Sequence, residues 1–247
     1  MTQNILIIGA TSAIAEAVAH HYAKAGANLF LVGRDQQKLK TVAANLQARG
    51  AKSTHCATAD ANDYLALEEA IETAWSQMGA VDVALIAHGT LPEQGRCEAD
   101  LSYAIKEFRN NGETAIACLT LLANRLEQQK KGVLAVISSV AGDRGRPSNY
   151  LYGSAKAAVD AFASGLLGRL FKSGVQVLII KPGFVATPMT ADLGLPEKLT
   201  ATPDKVAGDI VKAIRRRKDV VYTPGFWAWI MWVIRKIPSA IFKRMSI

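Results

Sequence analysis

Short apolar runs alternate with longer segments in which apolar residues recur every three or four positions. The runs predict strands over 4–8, 28–33, 52–57, 81–87, 132–138 and 175–181, with a last strand at 219–222. The longer segments predict helices over 12–25, 35–49, 63–78, 98–108, 111–130, 151–173 and 203–218. This alternation is typical of an α/β protein, here a doubly wound, Rossmann-type parallel sheet of about seven strands with helices on both faces.

Two irregular stretches, 89–97 and 182–202, follow predicted strands and are expected to be loops. Because ligands of open α/β sheets bind at the carboxyl ends of the strands, these loops are expected to border a site. No repeat or linker divides the chain, so residues 1–224 are predicted to form a single domain. Residues 225–247 are predicted to form an apolar, basic helical tail, either within the same domain or as a contact segment.

The charge balance points to an anionic partner. The 247 residues are 50% hydrophobic and 20% charged, as in a globular protein with a large core, and the formal net charge is +8. Much of the excess lies in the last third of the chain. A phosphorylated cofactor, an anionic lipid surface or a nucleic acid would each suit this charge. Because no nucleic-acid-binding motif occurs, nucleic acid is not an expected partner.

The three cysteines, Cys56, Cys97 and Cys118, are odd in number and share no metal-ligand spacing. They indicate reduced thiols in a cytoplasmic protein. No basic segment precedes the first apolar run, so a secretory signal is not expected. No cluster of histidine, cysteine and carboxylate side chains predicts a metal site.

The first predicted strand ends in a turn that leads directly into a helix. The turn residues expected to line a dinucleotide site are Gly9, Thr11, Ser12, Ala13 and Ile14. The free N–H groups and the positive dipole end of such a helix can receive a pyrophosphate. A complete glycine fingerprint would also place glycine at 13 and 15, where this chain has alanine. A turn without a binding role is therefore the alternative.

The end of the second predicted strand bears on the choice between NADP and NAD. An NAD site normally offers an acidic residue there, to accept hydrogen bonds from the adenosine ribose. Here Gly33 is followed by Arg34, which could pair with a 2′-phosphate, so NADP is favoured over NAD. Asp35 would reverse this preference if the strand ended one residue later, and a solvated Arg34 is a further alternative.

The candidate chemistry lies around Tyr152 and Lys156. Their four-residue spacing puts both on one face of a helix, where an ammonium would lower the pKa of the phenol from its reference of ~10. A phenol tuned in this way can exchange a proton with a hydroxyl or carbonyl group. Ser139 lies thirteen positions before Tyr152, and this spacing selects Ser139 over Ser138. Tyr150 is a rival phenol, but no lysine stands four residues beyond it.

Over residues 4 to about 222 the chain resembles the short-chain dehydrogenase/reductase family. The resemblance is carried by residues in matching order and separation: Gly9, Asp60, Asn111, Ser139, Tyr152, Lys156 and Pro182-Gly183. It implies that Tyr152 is the general acid and base, that Lys156 holds the nicotinamide ribose, and that Ser139 binds the substrate oxygen. It also implies that Asn111, for which Asn110 is an alternative, anchors a water next to Lys156.

The remaining cofactor contacts are implied by the same resemblance. Asp60 would meet the adenine amino group, with a helix N-cap as the alternative. Pro182, Gly183, Val185 and Thr187 form the segment that would hold the nicotinamide carboxamide. Where the family usually has Asn-Asn-Ala-Gly, this chain has Ile86 followed by Ala87, His88 and Gly89, and His88 is expected to be structural or to line the cofactor.

The tail combines tryptophans with cations. An apolar run, 226–234, is too short to cross a bilayer and is followed by Arg235 and Lys236. A segment lying on a membrane surface and a helix buried in a homodimer or homotetramer interface both suit it. Pro238 is expected to break it into two helical pieces. The tail also resembles reductases that act on decaprenylphosphoryl 2-keto-pentose, which implies a polyprenyl-phosphate-linked keto-sugar substrate.

Two functions follow from these residues. The first is an NADP-linked or NAD-linked carbonyl reductase, cytoplasmic and peripheral at the inner membrane surface. The second is a dinucleotide-binding sensor of the same fold without chemistry. The presence of Ser139, Tyr152 and Lys156 favours the enzyme.

Overall fold

The computed structural model describes residues 2–245, so the predicted ranges 1–224 and 225–247 include three residues, Met1, Ser246 and Ile247, that lie outside the described residues. The described chain contains a seven-stranded sheet in which every strand pair is parallel. Its strands are β1 (Asn4–Ile8), β2 (Asn28–Gly33), β3 (Ser53–Thr58), β4 (Val83–Ile86), β5 (Val133–Ile137), β6 (Gln176–Pro182) and β9 (Val220–Thr223). Their order in the sheet is β3-β2-β1-β4-β5-β6-β9, which confirms the predicted doubly wound fold.

Helices cover both faces of this sheet. They are α1 (Ala13–Lys24), α2 (Gln36–Ala48), α3 (Tyr64–Met78), α4 (Gln94–Ala99), α5 (Leu101–Phe108), α6 (Thr114–Gln129), α7 (Tyr150–Phe171), α8 (Pro203–Arg215), α9 (Trp227–Lys236) and α10 (Ser239–Phe242). Two separate apolar clusters form the core, one on each face. On β1, Ile5 and Ile7 belong to one cluster, and Leu6 and Ile8 to the other. A strand buried on both faces therefore reads as an unbroken apolar run.

Several helices begin where a short polar side chain caps the first turn. The carboxylate of Asp35 accepts a hydrogen bond from the backbone N–H of Lys38 at 3.0 Å, and Asp63 does the same for Ala66 at 3.1 Å. These caps satisfy backbone donors that have no partner within the helix. The local signals explain why most predicted helix boundaries agree with the structure to within a few residues.

The predicted loop at 89–97 and the predicted helix at 98–108 are partly wrong. A short helix, α4, already starts at Gln94, and α5 starts anew at Leu101. Asp100 separates them, because its backbone is extended and its carboxylate accepts a hydrogen bond from the Tyr103 N–H at 3.0 Å. A π-helical turn, Arg109–Glu113, then joins α5 to α6, so the predicted start at 111 falls inside a continuous helical run.

The predicted loop at 182–202 also has structure of its own. It contains a two-stranded parallel sheet of β7 (Phe184–Val185) and β8 (Thr200–Ala201), together with two 3-10 turns. This small sheet lies outside the main one and holds the segment that follows β6. Such short pieces carry too few residues for a periodic signal in the sequence.

The tail forms two helical pieces that are separated at Pro238, as predicted. Helix α9 contacts the rest of the protein through Trp227 and Met231, which are 3% and 0% exposed. Their neighbours in the same apolar cluster include Val140, Phe184 and Tyr222. Within residues 2–245, no helix has the length and apolar character needed to span a bilayer.

Candidate active site

A cleft of about 470 Å³ opens at the carboxyl edge of the sheet, on both sides of the point where β1 meets β4. Its volume is in the range of small-molecule and cofactor sites, and its location is the one where open α/β sheets bind ligands. Every residue predicted for the site lines it. These residues are Gly9, Thr11, Ser12, Ala13, Ile14, Arg34, Asp60, Ala87, His88, Gly89, Asn111, Ser139, Tyr152, Lys156, Pro182, Gly183, Val185 and Thr187.

The turn after β1 is shaped for a close approach of backbones. Gly9 has φ +81, and a β-carbon on it would stand 2.5 Å from the backbone nitrogen of His88. Only glycine suits both constraints. Ser12 then caps α1, whose first turn faces the cleft. The turn after β1 and the N-terminus of α1 together fit the phosphates of a dinucleotide.

The end of β2 resolves the alternative for Asp35. The strand ends at Gly33, and the Asp35 carboxylate is turned toward the N-terminus of α2, where it caps the Lys38 N–H. The alternative in which the strand ends one residue later, so that Asp35 would favour NAD, is therefore wrong. Arg34 is exposed at the rim of the cleft and is available for an anionic group.

Asp60 holds its carboxylate in the cleft through a local turn. Its Oδ1 accepts hydrogen bonds from the backbone N–H and the side-chain amide of Asn62, at 2.9 and 3.1 Å. The backbone hydrogen bond lowers the pKa of this carboxyl, so it is ionised at neutral pH. The alternative role as a helix N-cap is wrong, because Asp63 caps α3.

Tyr152 and Lys156 lie one turn apart on α7, with the lysine Nζ 5.6 Å from the centre of the phenol ring. Lys156 is only 3% exposed, and its Nζ donates a hydrogen bond to the backbone oxygen of Ile137 at 3.2 Å. Burial lowers the pKa of Lys156 to about 8. Its charge is therefore retained at neutral pH but is poorly solvated.

The prediction that the protein lowers the pKa of Tyr152 is wrong, because the protein groups around the phenol together raise this pKa. Burial raises this pKa to about 12, and Asp160 adds to the rise, whereas the Ser139 hydroxyl opposes it. The phenolate loses more solvation in the cleft than the protein groups around it restore. Tyr152 is therefore a neutral phenol, which is the form that can donate a proton.

Ser139 and its neighbour Ser138 have different contacts. The Ser139 hydroxyl accepts a hydrogen bond from the Ala141 N–H at 3.1 Å, at the start of a 3-10 turn, Val140–Asp143. The Ser138 hydroxyl is buried and donates toward the backbone oxygen of Lys156 at 3.4 Å. Tyr150, the rival phenol, is 44% exposed and is not part of the cleft lining. Ser138, Ser139 and Tyr152 all line the cleft, so the choice of Ser139 over Ser138 rests on the spacing.

Asn111 lies in the π-helical turn and is 1% exposed. Its Oδ1 accepts from the Thr90 N–H at 2.9 Å, and its Nδ2 donates to the Thr90 hydroxyl and the Glu107 backbone oxygen at 2.9 and 3.0 Å. A β-carbon on Gly89 would stand 2.9 Å from Asn111 Oδ1 and 3.6 Å from Lys156 Nζ. The amide and the ammonium thus flank one point of the cleft. Asn110 also lines the cleft, and its side chain contacts Asn62 and Glu107.

His88 lines the cleft as expected. Its Nε2 is 2.9 Å from the hydroxyl of Thr114, and its buried Nδ1 has no partner within the described chain. Burial, with a smaller contribution from the Lys156 charge, lowers the pKa of His88 to about 4. The imidazole is therefore neutral at physiological pH and acts as a polar wall of the site.

The segment after β6 is covered by the tail. The indole of Trp227 lies over Gly183, where a β-carbon would collide with Nε1. Phe184 contacts the same indole edge-on, with ring centres 5.2 Å apart. The hydroxyl of Thr190 donates to the Val185 backbone oxygen at 2.6 Å and accepts from the Thr187 N–H at 3.1 Å, which holds this part of the loop. Val185 and Thr187 thus line the cleft from a segment that the hydrogen bonds of Thr190 hold in place.

The sequence interpretation missed several residues that shape the site. Trp227 could not be found, since no local pattern relates residue 227 to residue 183. Thr90, which is held by Asn111, lay in a predicted loop without a role of its own. Arg146 and Asn149, in the segment between the 3-10 turn and the first turn of α7, also line the cleft, and the sequence interpretation assigned neither of them a role in the site. Within residues 2–245 no group of histidine, cysteine and carboxylate side chains is arranged to hold a metal ion.

Comparisons with known proteins agree with this geometry. Residues 3–198 match the family described as short chain dehydrogenase. An uncharacterized oxidoreductase of Mycobacterium tuberculosis H37Rv is 36% identical over 241 residues, covering 98% of this chain and 96% of that protein. One of Streptomyces coelicolor is 33% identical over 249 residues, covering 99% and 96%.

Solved structures show the same fold. A short-chain type dehydrogenase/reductase from Mycobacterium ulcerans superposes with a TM-score of 0.83 at 21% identity, covering 95% of this chain and 97% of that chain. A short-chain dehydrogenase from Sphingobium yanoikuyae, in complex with NADPH, superposes with a TM-score of 0.82 at 23% identity, covering 96% and 97%.

Proposed function

The chain belongs to the short-chain dehydrogenase/reductase family of NAD(P)-dependent oxidoreductases, and from this premise we propose that it is an NADPH-dependent carbonyl reductase. The observation that carries the proposal is that Asn111, Ser139, Tyr152 and Lys156 meet in one cleft with the phosphate-binding turn at Gly9. The nicotinamide, when bound, supplies the hydride. The protein then has to bind the substrate oxygen and provide its proton.

The proton comes from the Tyr152 hydroxyl. Burial keeps this phenol neutral, so it can donate to a carbonyl oxygen that gains negative charge. The Ser139 hydroxyl lies on the same wall and stabilises the charge on that oxygen. The Lys156 ammonium favours the phenolate that remains after the transfer, and its burial strengthens this interaction. Asn111 fixes the backbone around Thr90 and presents its amide next to Lys156.

Support for NADPH rather than NADH comes from the end of β2. Arg34 stands at the rim without an acidic residue at the strand end, since Asp35 caps α2. A guanidinium can pair with a 2′-phosphate in two parallel hydrogen bonds. The NADPH in the related structure from Sphingobium yanoikuyae is consistent with this preference.

The outer face of the tail supports contact with an anionic lipid surface in the cytoplasm, at the inner membrane. Trp229, Trp232 and Val233 are 71%, 57% and 52% exposed on α9. The segment from 226 to 245 contains four cations and no acidic residue. Tryptophans with cations beside them suit the headgroup region of a bilayer. A substrate carried on a polyprenyl phosphate, as implied by the resemblance of the tail, would be presented at such a surface.

Exposed apolar positions elsewhere support a homodimer or homotetramer. Leu101 and Ile105 lie one turn apart on α5 and are 76% and 58% exposed. A second copy of this chain would cover them, and sedimentation of Leu101→Ser measures the effect. A shift of the variant toward the monomer supports this interface, and an unchanged sedimentation coefficient contradicts it.

The reductase proposal is tested by titrating NADPH and NADH and then measuring turnover against simple ketones and keto-sugars, with and without lipid. We expect tighter binding of NADPH and reduction of at least one class of ketone. Binding of NADPH without turnover of any carbonyl substrate would instead support the sensor.

The lipid contact is tested by sedimentation with phosphatidylglycerol and phosphatidylcholine vesicles. We expect salt-sensitive binding to the anionic vesicles, lost in Trp229→Ser/Trp232→Ser and kept in Phe171→Ser, which alters an equally exposed aromatic residue on α7. If the double variant keeps lipid binding, or if it changes the oligomeric state instead, the tail is not a lipid contact.

A further inference from the structure

Three charged side chains form a largely buried cluster beside the catalytic helix α7. The Nζ of Lys181, on β6, lies 2.5 Å from Asp143 Oδ1 and 2.8 Å from Asp160 Oδ2. The side chains of Lys181, Asp143 and Asp160 are 11%, 3% and 14% exposed. Although burial by itself would lower the pKa of Lys181, the two carboxylates raise it. Two carboxylates thus share one ammonium, which leaves these three side chains with a net negative charge.

Asp143 is engaged on the side of the cluster that faces the tail. Its Oδ2 accepts a hydrogen bond from the hydroxyl of Tyr222, on β9, at 2.8 Å. The next residue, Arg144, donates through Nη1 to the backbone oxygens of Ile234 and Ile237, at 2.5 and 2.7 Å. The 3-10 turn that carries Asp143 is thereby held by the end of the sheet and by α9.

Asp160 lies instead on the helix that carries the proton donor. It follows Lys156 by four residues and Tyr152 by eight, so the three side chains lie along one side of α7. A β-carbon on Gly142 would stand 2.8 Å from Asp160 Oδ2 and 3.0 Å from the backbone carbon of Lys156. The carboxylate and the lysine therefore meet the turn that begins at Ser139 at the same point.

Polar groups from several elements surround Lys156. They are the backbone oxygen of Ile137 at the end of β5, the Ser138 hydroxyl after it, the neutral imidazole of His88 after β4, the amide of Asn111 in the π-helical turn, and the Tyr152 phenol and Asp160 carboxylate on α7. Of these groups, Asp160 is the one whose charge is opposite to that of the ammonium.

The Asp160 charge acts in the same direction on both members of the proton-donating pair. Burial lowers the pKa of Lys156 to about 8, and Asp160 opposes this fall. Burial raises the pKa of Tyr152 to about 12, and Asp160 adds to this rise. Burial also raises the pKa of Asp160 itself, whereas the Lys181 ammonium lowers it. Lys181 therefore favours the ionised form of Asp160, and Asp160 favours the protonated forms of Lys156 and Tyr152.

We propose that Asp160 is a positioning residue for the reduction, whose carboxylate, anchored by Lys181, keeps Lys156 charged and Tyr152 protonated until the substrate oxygen takes the phenolic proton. The inference rests on the proposed reductase function and adds to it a residue that acts through Lys156 and Tyr152 rather than on the substrate. Because a carboxylate nearby disfavours the phenolate, it also favours the return of a proton to Tyr152 after each turnover.

The effect on Lys156 can be measured without any substrate. In the full chain labelled with ¹³Cε-lysine, NMR titration follows the lysine resonance that is missing from Lys156→Met. We expect its midpoint, about 8 in the wild type, to fall by about one pH unit in Asp160→Asn, because an opposite charge one helical turn away is removed. Asp160→Glu, which keeps the charge, should titrate close to the wild type.

Asp143→Asn is the matched control. It takes a carboxylate from the same Lys181 ammonium but leaves the charge on α7 in place, so the midpoint of Lys156 should stay near that of the wild type. Urea unfolding of both Asn variants measures what each carboxylate contributes to stability alone. If Asp160→Asn does not fold, Asp160→Asn/Lys181→Gln removes both charges of the ion pair, and the midpoint should still fall.

The effect on the reaction is measured as kcat/KM against pH, with NADPH and the ketone of the panel that is turned over fastest. Activity should decline at alkaline pH as Lys156 loses its proton. This decline should begin at lower pH in Asp160→Asn, by about the same one pH unit, and at the wild-type pH in Asp143→Asn.

Two outcomes overturn the inference. One is an unchanged titration of Lys156 in Asp160→Asn, and the other is an equal shift in Asp160→Asn and Asp143→Asn, which would make the effect a general property of the cluster. A lower midpoint in Asp160→Asn alone, in a protein that reduces no ketone, would support the action of Asp160 on Lys156 and overturn the reductase.

Discussion

The indole Nε1 of Trp227 occupies the space that a β-carbon on residue 183 would need, and residue 183 is glycine. Trp227 is 3% exposed, and its Nε1 has no hydrogen-bond partner within residues 2–245. The tail thus packs directly on the backbone of a loop that lines the cleft. Any change in how α9 sits is expected to reach that loop through this contact.

Gly183→Ala is therefore expected to be damaging. The added methyl group displaces Trp227, and overpacking of this kind lowers the free energy of unfolding by about 1–3 kcal/mol. Turnover should fall as well, because Val185 and Thr187 follow on the same loop. Urea unfolding followed by circular dichroism measures the first effect. Gly145→Ala, where no atom lies within 4 Å of the new β-carbon, is the matched control.

The contact between Gly183 and Trp227 can also be tested by changing Trp227. Adding Trp227→Leu to Gly183→Ala should restore part of the lost stability, since the clash is then removed. If the double variant is as unstable as the sum of the two single variants, the two residues are not coupled as the structure indicates.

Tyr152→Phe should lower kcat for carbonyl reduction by about 10²–10⁴-fold, because the proton donor is removed. NADPH binding, measured by fluorescence titration, should stay within a few-fold of wild type. Tyr150→Phe alters an exposed phenol two residues away and should leave kcat unchanged. Equal activity of wild type and Tyr152→Phe would reject the assigned chemistry.

Arg34→Ala should weaken NADPH binding about 10–100-fold, because the charged partner of the 2′-phosphate is removed, and should leave NADH binding nearly unchanged. Competition between the two cofactors in equilibrium titrations measures the ratio. Arg49→Ala, at the far end of α2, provides the control. A parallel loss for both cofactors would show that Arg34 does not contact the 2′-phosphate.

His88 should make stability depend on pH. Its pKa is about 4 in the folded chain and 6.5 in its ordinary state, so between these values the unfolded chain binds more protons. The free energy of unfolding therefore falls as pH drops from about 6.5 to 4, by up to roughly 3 kcal/mol. His88→Asn should remove this part of the slope and match wild type above pH ~7. An unchanged slope in the variant would assign the acid sensitivity to other groups.

Arg144→Gln should loosen the end of the tail. The two backbone oxygens that Arg144 binds lose a charged donor, so the cost is about 1–3 kcal/mol. Limited proteolysis is expected to remove the tail faster, and thermal unfolding should begin earlier. Arg235→Gln, an exposed residue of α9 without an ion pair in the described chain, should behave as wild type in both measurements.

The sequence by itself determined the fold to a large extent. The central strands β1, β2, β4, β5 and β6 are largely buried, so each reads as an apolar run with clear ends, and short polar caps mark the helix starts. The edge strands β3 and β9 are partly exposed. Ser139, Tyr152 and Lys156, selected by their spacing, also lie in one cleft of the structure. Tyr152 and Lys156 share helix α7, and Ser139 follows strand β5. Patterns of this kind are local, and local patterns are visible along a chain.

Only the tertiary structure decided the electrostatics and the long-range contacts. The pKa of Tyr152 depends on how completely the cleft removes water, and burial outweighs the effect expected from the four-residue spacing of Lys156. The contact of Trp227 with Gly183 depends on which segments meet in space. Solvation and contacts between distant segments are properties of the folded surface as a whole, and no window of the sequence contains them.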